Sequence, residues 1–407
     1  MRPVFLTVPA LLLALTLTSV SRAQVPAPNI AQKRPQPRLV LIDQDGSGPG
    51  GSNQMAIMAL LQASQVPAFN IQVLGITMVT GNAWRDEETQ HTLRMLELIG
   101  RTDIPVAQGA VFPLVRSQDE TRLATPLNGQ FSWLGAWGGG PTTLTETAHG
   151  IEAAKPQPSV INPAFHGPYE IPPMLEGAPH TRPLNEVTGE DAVHFLIRQV
   201  HAHPHQVTIY AAGPLTNIAL ALSIDPQFAS LTQGIVVMGG SLNPQTDDPE
   251  FAESPRHEFN FWFDPEAAHI VLRAHWPRID LTTVDISIKA LFTDEMLAAI
   301  AKAANPAHPA AQYIAQYSQE RYYMWDELAA CAFLDPTLIT KEKSVLMDID
   351  LSHGPSYGNT LTWTDQLKPE TDLQKVHAQL DLNLPKFQKM FVELMSVPTP
   401  QHTTIPN

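Results

Sequence analysis

Asp43-Gln44-Asp45 places two carboxylates at the end of a short apolar run, just before the Gly/Ser/Pro loop 46–52 and Asn53. Acidic residues in such a position often cap a following helix or turn. The same oxygens suit a hard cation, because calcium takes roughly six to eight oxygens from carboxylates, amides, backbone carbonyls and water. Asn53 offers one more such oxygen. Further along, Gly213-Pro214-Leu215-Thr216-Asn217 opens a helix, with Thr216 a candidate cap and a turn that can bring the Ala212 carbonyl into a site. Trp325-Asp326 stands before the helical run 327–333, where Asp326 reads as a cap and the tryptophan as ordinary core. His257-Glu258-Phe259-Asn260 interleaves polar and aromatic residues. That pattern fits a half-buried strand, with Glu258 and Asn260 on one face. Two polar groups so placed also suit vicinal hydroxyls.

The elements that must carry these groups alternate. Leu39-Val40-Leu41-Ile42 reads as a strand buried on both faces, and Met55–Leu61 as a helix. Strand 73–79, a turn at 80–82, helix 86–99 stopped by Gly100, and a strand at 104–107 follow. The alternation resumes with helix 190–202, strand 207–211, helix 216–222, strand 235–238 and helix 265–274. Strands alternating with helices predict an α/β fold, a mostly parallel, Rossmann-like sheet with helices on both faces. Ligands of such folds bind at the carboxyl ends of the strands. The Pro- and Gly-rich stretch 116–187 is too long for an ordinary connection and reads as a functional lid or a disordered insert. The segment from Lys368 reads as a helical, proline-ended extension without chemistry.

Composition narrows the function classes. A formal charge of −15 repels nucleic acid. Residues 1–23 resemble a signal peptide, with Arg2, the apolar run 8–17 and the small-residue site Ser21-Arg22-Ala23, followed by a Pro/Ala/Gln tether at 24–37. The expected location is therefore periplasmic or secreted. No later run is long enough to span a bilayer. Cys331, the single cysteine, excludes an intrachain disulfide. Residues 38–407 are expected to form one domain.

Taken in order, Asp43-Gln44-Asp45, Thr77–Asn82, Pro105–Ala110, Gly213–Asn217, Met238-Gly239-Gly240, Glu258-Phe259-Asn260 and Trp325-Asp326 resemble the inosine–uridine-preferring nucleoside hydrolase family. The resemblance implies a calcium-dependent enzyme that cuts ribonucleosides into ribose and base, as a homodimer or homotetramer. It implies that Asp45 is a Ca2+ ligand and the general base, and that Asp326, Asn53 and the Ala212 carbonyl complete the metal set. Asp43, Ser52, Asn82, Asn243, Glu258 and Asn260 are then candidates for holding the ribose. Trp325 resembles the purine-preferring branch, where an aromatic ring stacks on the base. His166, before Gly167, is a candidate proton donor to the leaving base, and Trp137 a second base contact. Where the family has an Asp-Asp pair, this chain has Ser52-Asn53, after a loop about three residues longer. One charge is thereby lost, so capture of a nucleoside or sugar without turnover is the alternative reading.

Overall fold

Leu39 to Gln44 is buried throughout, as a strand whose apolar run, Leu39–Ile42, lies at the middle of a sheet must be. In the computed structural model, which describes residues 36–129, 133–138, 144–147, 150–153, 166–247, 258–318 and 322–399, this strand is β1 (Arg38–Gln44). The other strands are β2 (Ile71–Met78), β3 (Val106–Gln108), β4 (Leu144–Thr147), β5 (Gly150–Ala153), β6 (Val207–Ala212), β7 (Gly234–Met238), β8 (Ile279–Thr282), β9 (Ile339–Ile349), β10 (Thr360–Trp363) and β11 (Lys375–Leu382). Nine of them form one sheet in the order β10-β9-β11-β8-β7-β6-β1-β2-β3, and β4 and β5 form a separate antiparallel pair. From β11 to β3 every pairing is parallel, whereas β9 runs antiparallel to both β11 and β10. The mostly parallel α/β sheet is as expected. Residues from Pro37 onward form one compact unit.

Strand alternation sends successive side chains to opposite faces. Val40 and Ile42 join a core with the helices Ser52–Ala63, Arg85–Leu98, Trp325–Leu334 and Leu384–Met395. Leu39 and Leu41 join the opposite core with Ala192–Ala202, Thr216–Ile224 and Pro265–Arg273. The helix Ser52–Ala63 is buried along its whole length, so its apolar run continues round the cylinder.

The chain leaves β1 toward β2 on one side, and later returns to lay β6 on the other. Connections diverge there, and in such folds the ligand crevice lies outside the carboxyl ends of the strands at that point. Asp45, Asn82, Gly213 and Gly239-Gly240 all follow strand ends at this edge.

Two expectations are corrected. Residues 258–260 do not make a half-buried strand: Phe259–Phe263 is a short helix, because the Glu258 carboxylate accepts from the backbone N–H groups of Asn260 and Phe261 and turns the chain. The segment after Lys368 carries β11, inserted between β8 and β9, before its helix. Within 116–187 the described residues include a helix, Gln118–Asn128, capped by Ser117. The expected leader, nearly all of the tether, much of 116–187 and His257 lie outside the described residues.

Among the described residues no helix is long and apolar enough to cross a membrane.

Candidate active site

Because alternation continues to the end of β1, Asp43 and Gln44 face opposite ways. Asp43 turns toward the helix Thr216–Ile224, where its Oδ1 accepts from Asn217 Nδ2 at 2.8 Å and Thr77 Oγ1 at 2.5 Å. Asn217 Oδ1 in turn accepts from the Ala110 N–H. Asp43 therefore joins the ends of β1, β2 and β3, a framework position rather than the ribose contact expected for it. Burial raises its carboxyl to about 6. Gln44 turns the other way. Its Nε2 donates to Asp326 Oδ2 at 3.3 Å, and its Oε1 accepts from Asn53 Nδ2 and from the Asp45 N–H.

Asp45 stands just beyond the strand. Its Oδ1 accepts from Asn53 Nδ2 at 2.7 Å and its Oδ2 from the Asn82 backbone N–H at 3.0 Å. Two glycines let the backbone close in on it. A Cβ at Gly81 would collide with Asp45 Oδ2, and one at Gly213 would lie 2.9 Å from Asp45 N. The β1–β6 register sets Ala212 opposite Gln44, so the Ala212–Gly213 peptide lies against Asp45. Asp326 is the second residue of the helix Trp325–Leu334. Its backbone carbonyl accepts from Tyr210 Oη, and its N–H donates to Ser52 Oγ at 3.3 Å. Neither acid caps a helix: the residues before their helices are Gly51 and Met324, without side-chain caps. Thr216 is likewise no cap and donates instead to Asp264.

The electrostatics are those of surplus acceptors. Burial, followed by the like charges of Glu258 and Asp43, holds Asp45 well above the ordinary carboxylate range. Burial, then Asp45, Glu327 and Glu258, does the same to Asp326. Burial lifts Glu258 to about 7, although three backbone N–H groups, of Gly240, Asn260 and Phe261, oppose the shift. Glu88 is raised by burial and by Asp45. Carboxylates that repel one another in a buried crevice favour a bound cation. The donor set fits one: two carboxylates, an amide and a backbone carbonyl are hard oxygens. Among the described residues no three His, Cys, Asp or Glu side chains gather closely enough to hold a metal by themselves. Amide and carbonyl oxygens are therefore needed to complete a site.

The remaining candidates separate. Asn82 reaches the centre, its Nδ2 donating to Asn53 Oδ1 at 3.2 Å. Asn260 Nδ2 donates to the Met238 carbonyl at the end of β7. Ser52 turns from the crevice to Glu327, a carboxylate pushed up to about 8 by burial. Trp325 is half-buried and edge-on to Tyr323. His166 is pinned to the helix Arg85–Leu98: its Nε2 is 3.1 Å from Glu87, and its carbonyl accepts from Trp84 Nε1. Asn243 is exposed, its backbone N–H held by Asp285. Trp137 is core, buried against Phe263 and Trp262. The longer loop is also enclosed: residues 45–50 are buried, Gly48 beside Gln54 and His91, Gly50 beside Tyr317.

Three participants were not singled out from sequence. Gln44 sat inside the quoted motif, and strand parity was the signal that would have aimed it at Asp326. Glu327 follows Asp326 directly. Trp133, whose Nε1 donates to Asn82 Oδ1 at 2.7 Å, has no local signal.

Comparison with known proteins bears on the family and the fold. The family model described as inosine-uridine preferring nucleoside hydrolase matches residues 40–389. The inosine-uridine preferring nucleoside hydrolase of Leishmania major is 26% identical over 356 residues, covering 85% of this chain and 94% of that protein. The pyrimidine-specific ribonucleoside hydrolase RihA of Shewanella woodyi is 31% identical over 269 residues, covering 66% and 67%. The solved structure of a plant nucleoside hydrolase, the PpNRh1 enzyme, superposes with a TM-score of 0.63 at 22% identity, covering 89% of this chain and all of that one. That last likeness shows the fold.

Proposed function

This chain belongs to the inosine–uridine preferring nucleoside hydrolase family, and on that premise we propose that it hydrolyses the N-glycosidic bond of ribonucleosides, purines foremost, around one calcium ion. The observation that carries the reading is the meeting of Asp45 and Asp326, from opposite ends of the sequence, through Gln44. A calcium ion held by Asp45, Asp326, the Ala212 carbonyl and the Asn53 amide oxygen would orient a water and lower its pKa. Asp45 is assigned as the general base that would take the proton of that water. Breaking the bond leaves positive charge on the sugar, which buried carboxylates stabilise. Glu258, Asn260 and Asn82 are assigned to the ribose hydroxyls.

The relatives' names span inosine, uridine and pyrimidines, so base preference has to come from this chain's own aromatic residues. Trp325 adjoins Asp326, and Trp133 is one hydrogen bond from Asn82. Indole faces so placed favour the larger, two-ring base. His166, paired with Glu87, is assigned to protonate the departing base. The leader-like composition of residues 1–23 supports a reaction outside the cytoplasm.

The test is release of reducing sugar from inosine, guanosine and uridine by purified protein with calcium, with excess chelator, and by Asp45→Ala. The expected result is turnover that favours inosine and is abolished by chelator and by the substitution. Saturable nucleoside binding with no sugar released under any condition would overturn it in favour of a capture protein.

A further inference from the structure

The orientation of the amides between Trp133 and Asp45 follows from one group whose polarity is not negotiable. An indole N–H can only donate. Trp133 Nε1 lies 2.7 Å from Asn82, so Asn82 must present its oxygen there and its Nδ2 on the far side. That Nδ2 faces Asn53 at 3.2 Å, so Asn53 must answer with its oxygen. Asn53 is left with its own Nδ2 toward Asp45 Oδ1 at 2.7 Å and Gln44 Oε1 at 3.2 Å. Each amide is thus assigned by its neighbour, starting from the tryptophan.

The consequence falls on Asp45. A side-chain N–H2, carrying partial positive charge, lies against Asp45 Oδ1 and Gln44 Oε1, where a cation ligand would have to offer an oxygen. Turning Asn53 about brings its oxygen round but sets its nitrogen against the nitrogen of Asn82. Turning Asn82 as well relieves that clash and sets its nitrogen against the indole N–H. Turning Asn53 also sets its oxygen against Asp45 Oδ1 and Gln44 Oε1, so the reversed chain is self-consistent only with a cation among those oxygens and with Trp133 no longer donating.

We infer that Trp133 is a positioning residue that, through Asn82, sets whether Asn53 shields Asp45 with its amide nitrogen or offers its oxygen to a divalent cation. The inference rests on the cation reading above and adds the residue that opposes it. Loss of the indole N–H therefore tightens cation binding, and cation binding releases the indole.

Calcium chloride is titrated calorimetrically into full-length, chelator-stripped wild type and Trp133→Phe. In parallel, wild type labelled with 15N in its seven tryptophan indoles is followed by NMR, the Trp133 signal being identified by its loss in the variant. The expected results are roughly five-fold tighter binding by Trp133→Phe, the size of one neutral hydrogen bond, and a shift of the Trp133 indole signal in wild type on saturation. Equal or weaker binding by Trp133→Phe, or an indole signal unmoved at saturation, overturns this inference and leaves the proposed function standing. Absence of calcium binding in both proteins overturns the cation reading and this inference with it.

Discussion

Asp45 and Asp264 are both fully buried carboxylates that follow an ordered element, yet their surroundings differ in kind. Asp264 caps the helix Pro265–Arg273. Its Oδ1 accepts from the Ala267 N–H, and its Oδ2 accepts from the Leu114 N–H at 2.9 Å and Thr216 Oγ1 at 2.6 Å. It joins three segments, and burial raises it to about 6. Asp45 accepts from Asn53 and from the Asn82 N–H, but faces the charges of Glu258 and Asp43 and repels Asp326. Asp264 has donors that match its oxygens, whereas Asp45 shares a crevice with too many acceptors. The first arrangement stabilises the fold; the second is stable only when something positive, a proton, an amide N–H or a cation, stands among the acids.

Exchanging the two roles by mutation gives the largest contrast. Asp45→Asn is expected to lower kcat for inosine by roughly 10²–10⁴ while leaving the unfolding temperature unchanged or higher in chelator, since it deletes a repelling charge. Sugar release and calorimetry on the same preparation read both effects. Asp264→Ala should do the reverse, costing about 3 kcal/mol through the lost cap and two stranded donors. Urea unfolding would show this cost, with nucleoside KM little changed. A stable Asp264→Ala protein without activity would erase the distinction.

The acidity of the crevice gives a pH signature. Glu258 at about 7 and Glu327 at about 8 are raised by burial from an ordinary 4.5. A carboxyl whose folded value is raised contributes stability that is full below the unfolded value and is lost as pH climbs to the folded one. In chelator, unfolding temperature should therefore fall as pH rises from 4.5 through 8, and Glu327→Gln should remove the upper part of that fall. Saturating calcium should flatten the same curve, because a cation stabilises the ionised acids. A profile that rises with pH in chelator would contradict the excess of acceptors. The smallest expected effect is on selectivity: Trp325→Leu should lower the inosine-to-uridine ratio of kcat/KM roughly five-fold, read from competing substrates.

Much of this was legible in the sequence because it is written locally. The uninterrupted Leu39–Ile42 run marks a doubly covered strand, and Asp-x-Asp followed by glycines marks its open end. The helix at 259–263 was not legible, since its polar and aromatic alternation has the strand period, and only the Glu258 cap reverses it. In β11 the apolar positions Val376, Ala378 and Leu382 do alternate, but nothing local says that the strand inserts between β8 and β9, parallel to one and antiparallel to the other. Ser52 looked like a ribose contact because it stands in an acid's place; its partner, Glu327, comes from 275 residues away. Trp133 meets Asn82 across 51 residues, and no spacing rule announces such a bond.

The most direct measurement of the central claim is a crystal structure of the full-length protein grown with calcium, read for one metal peak and its ligands. The account expects a single ion at the carboxyl ends of β1 and β6, bound by Asp45, Asp326 and the Ala212 carbonyl, with the Asn53 oxygen turned toward it. A crevice without an ion at saturating calcium, or an ion bound elsewhere with Asp45 still held by the Asn53 nitrogen, would contradict it.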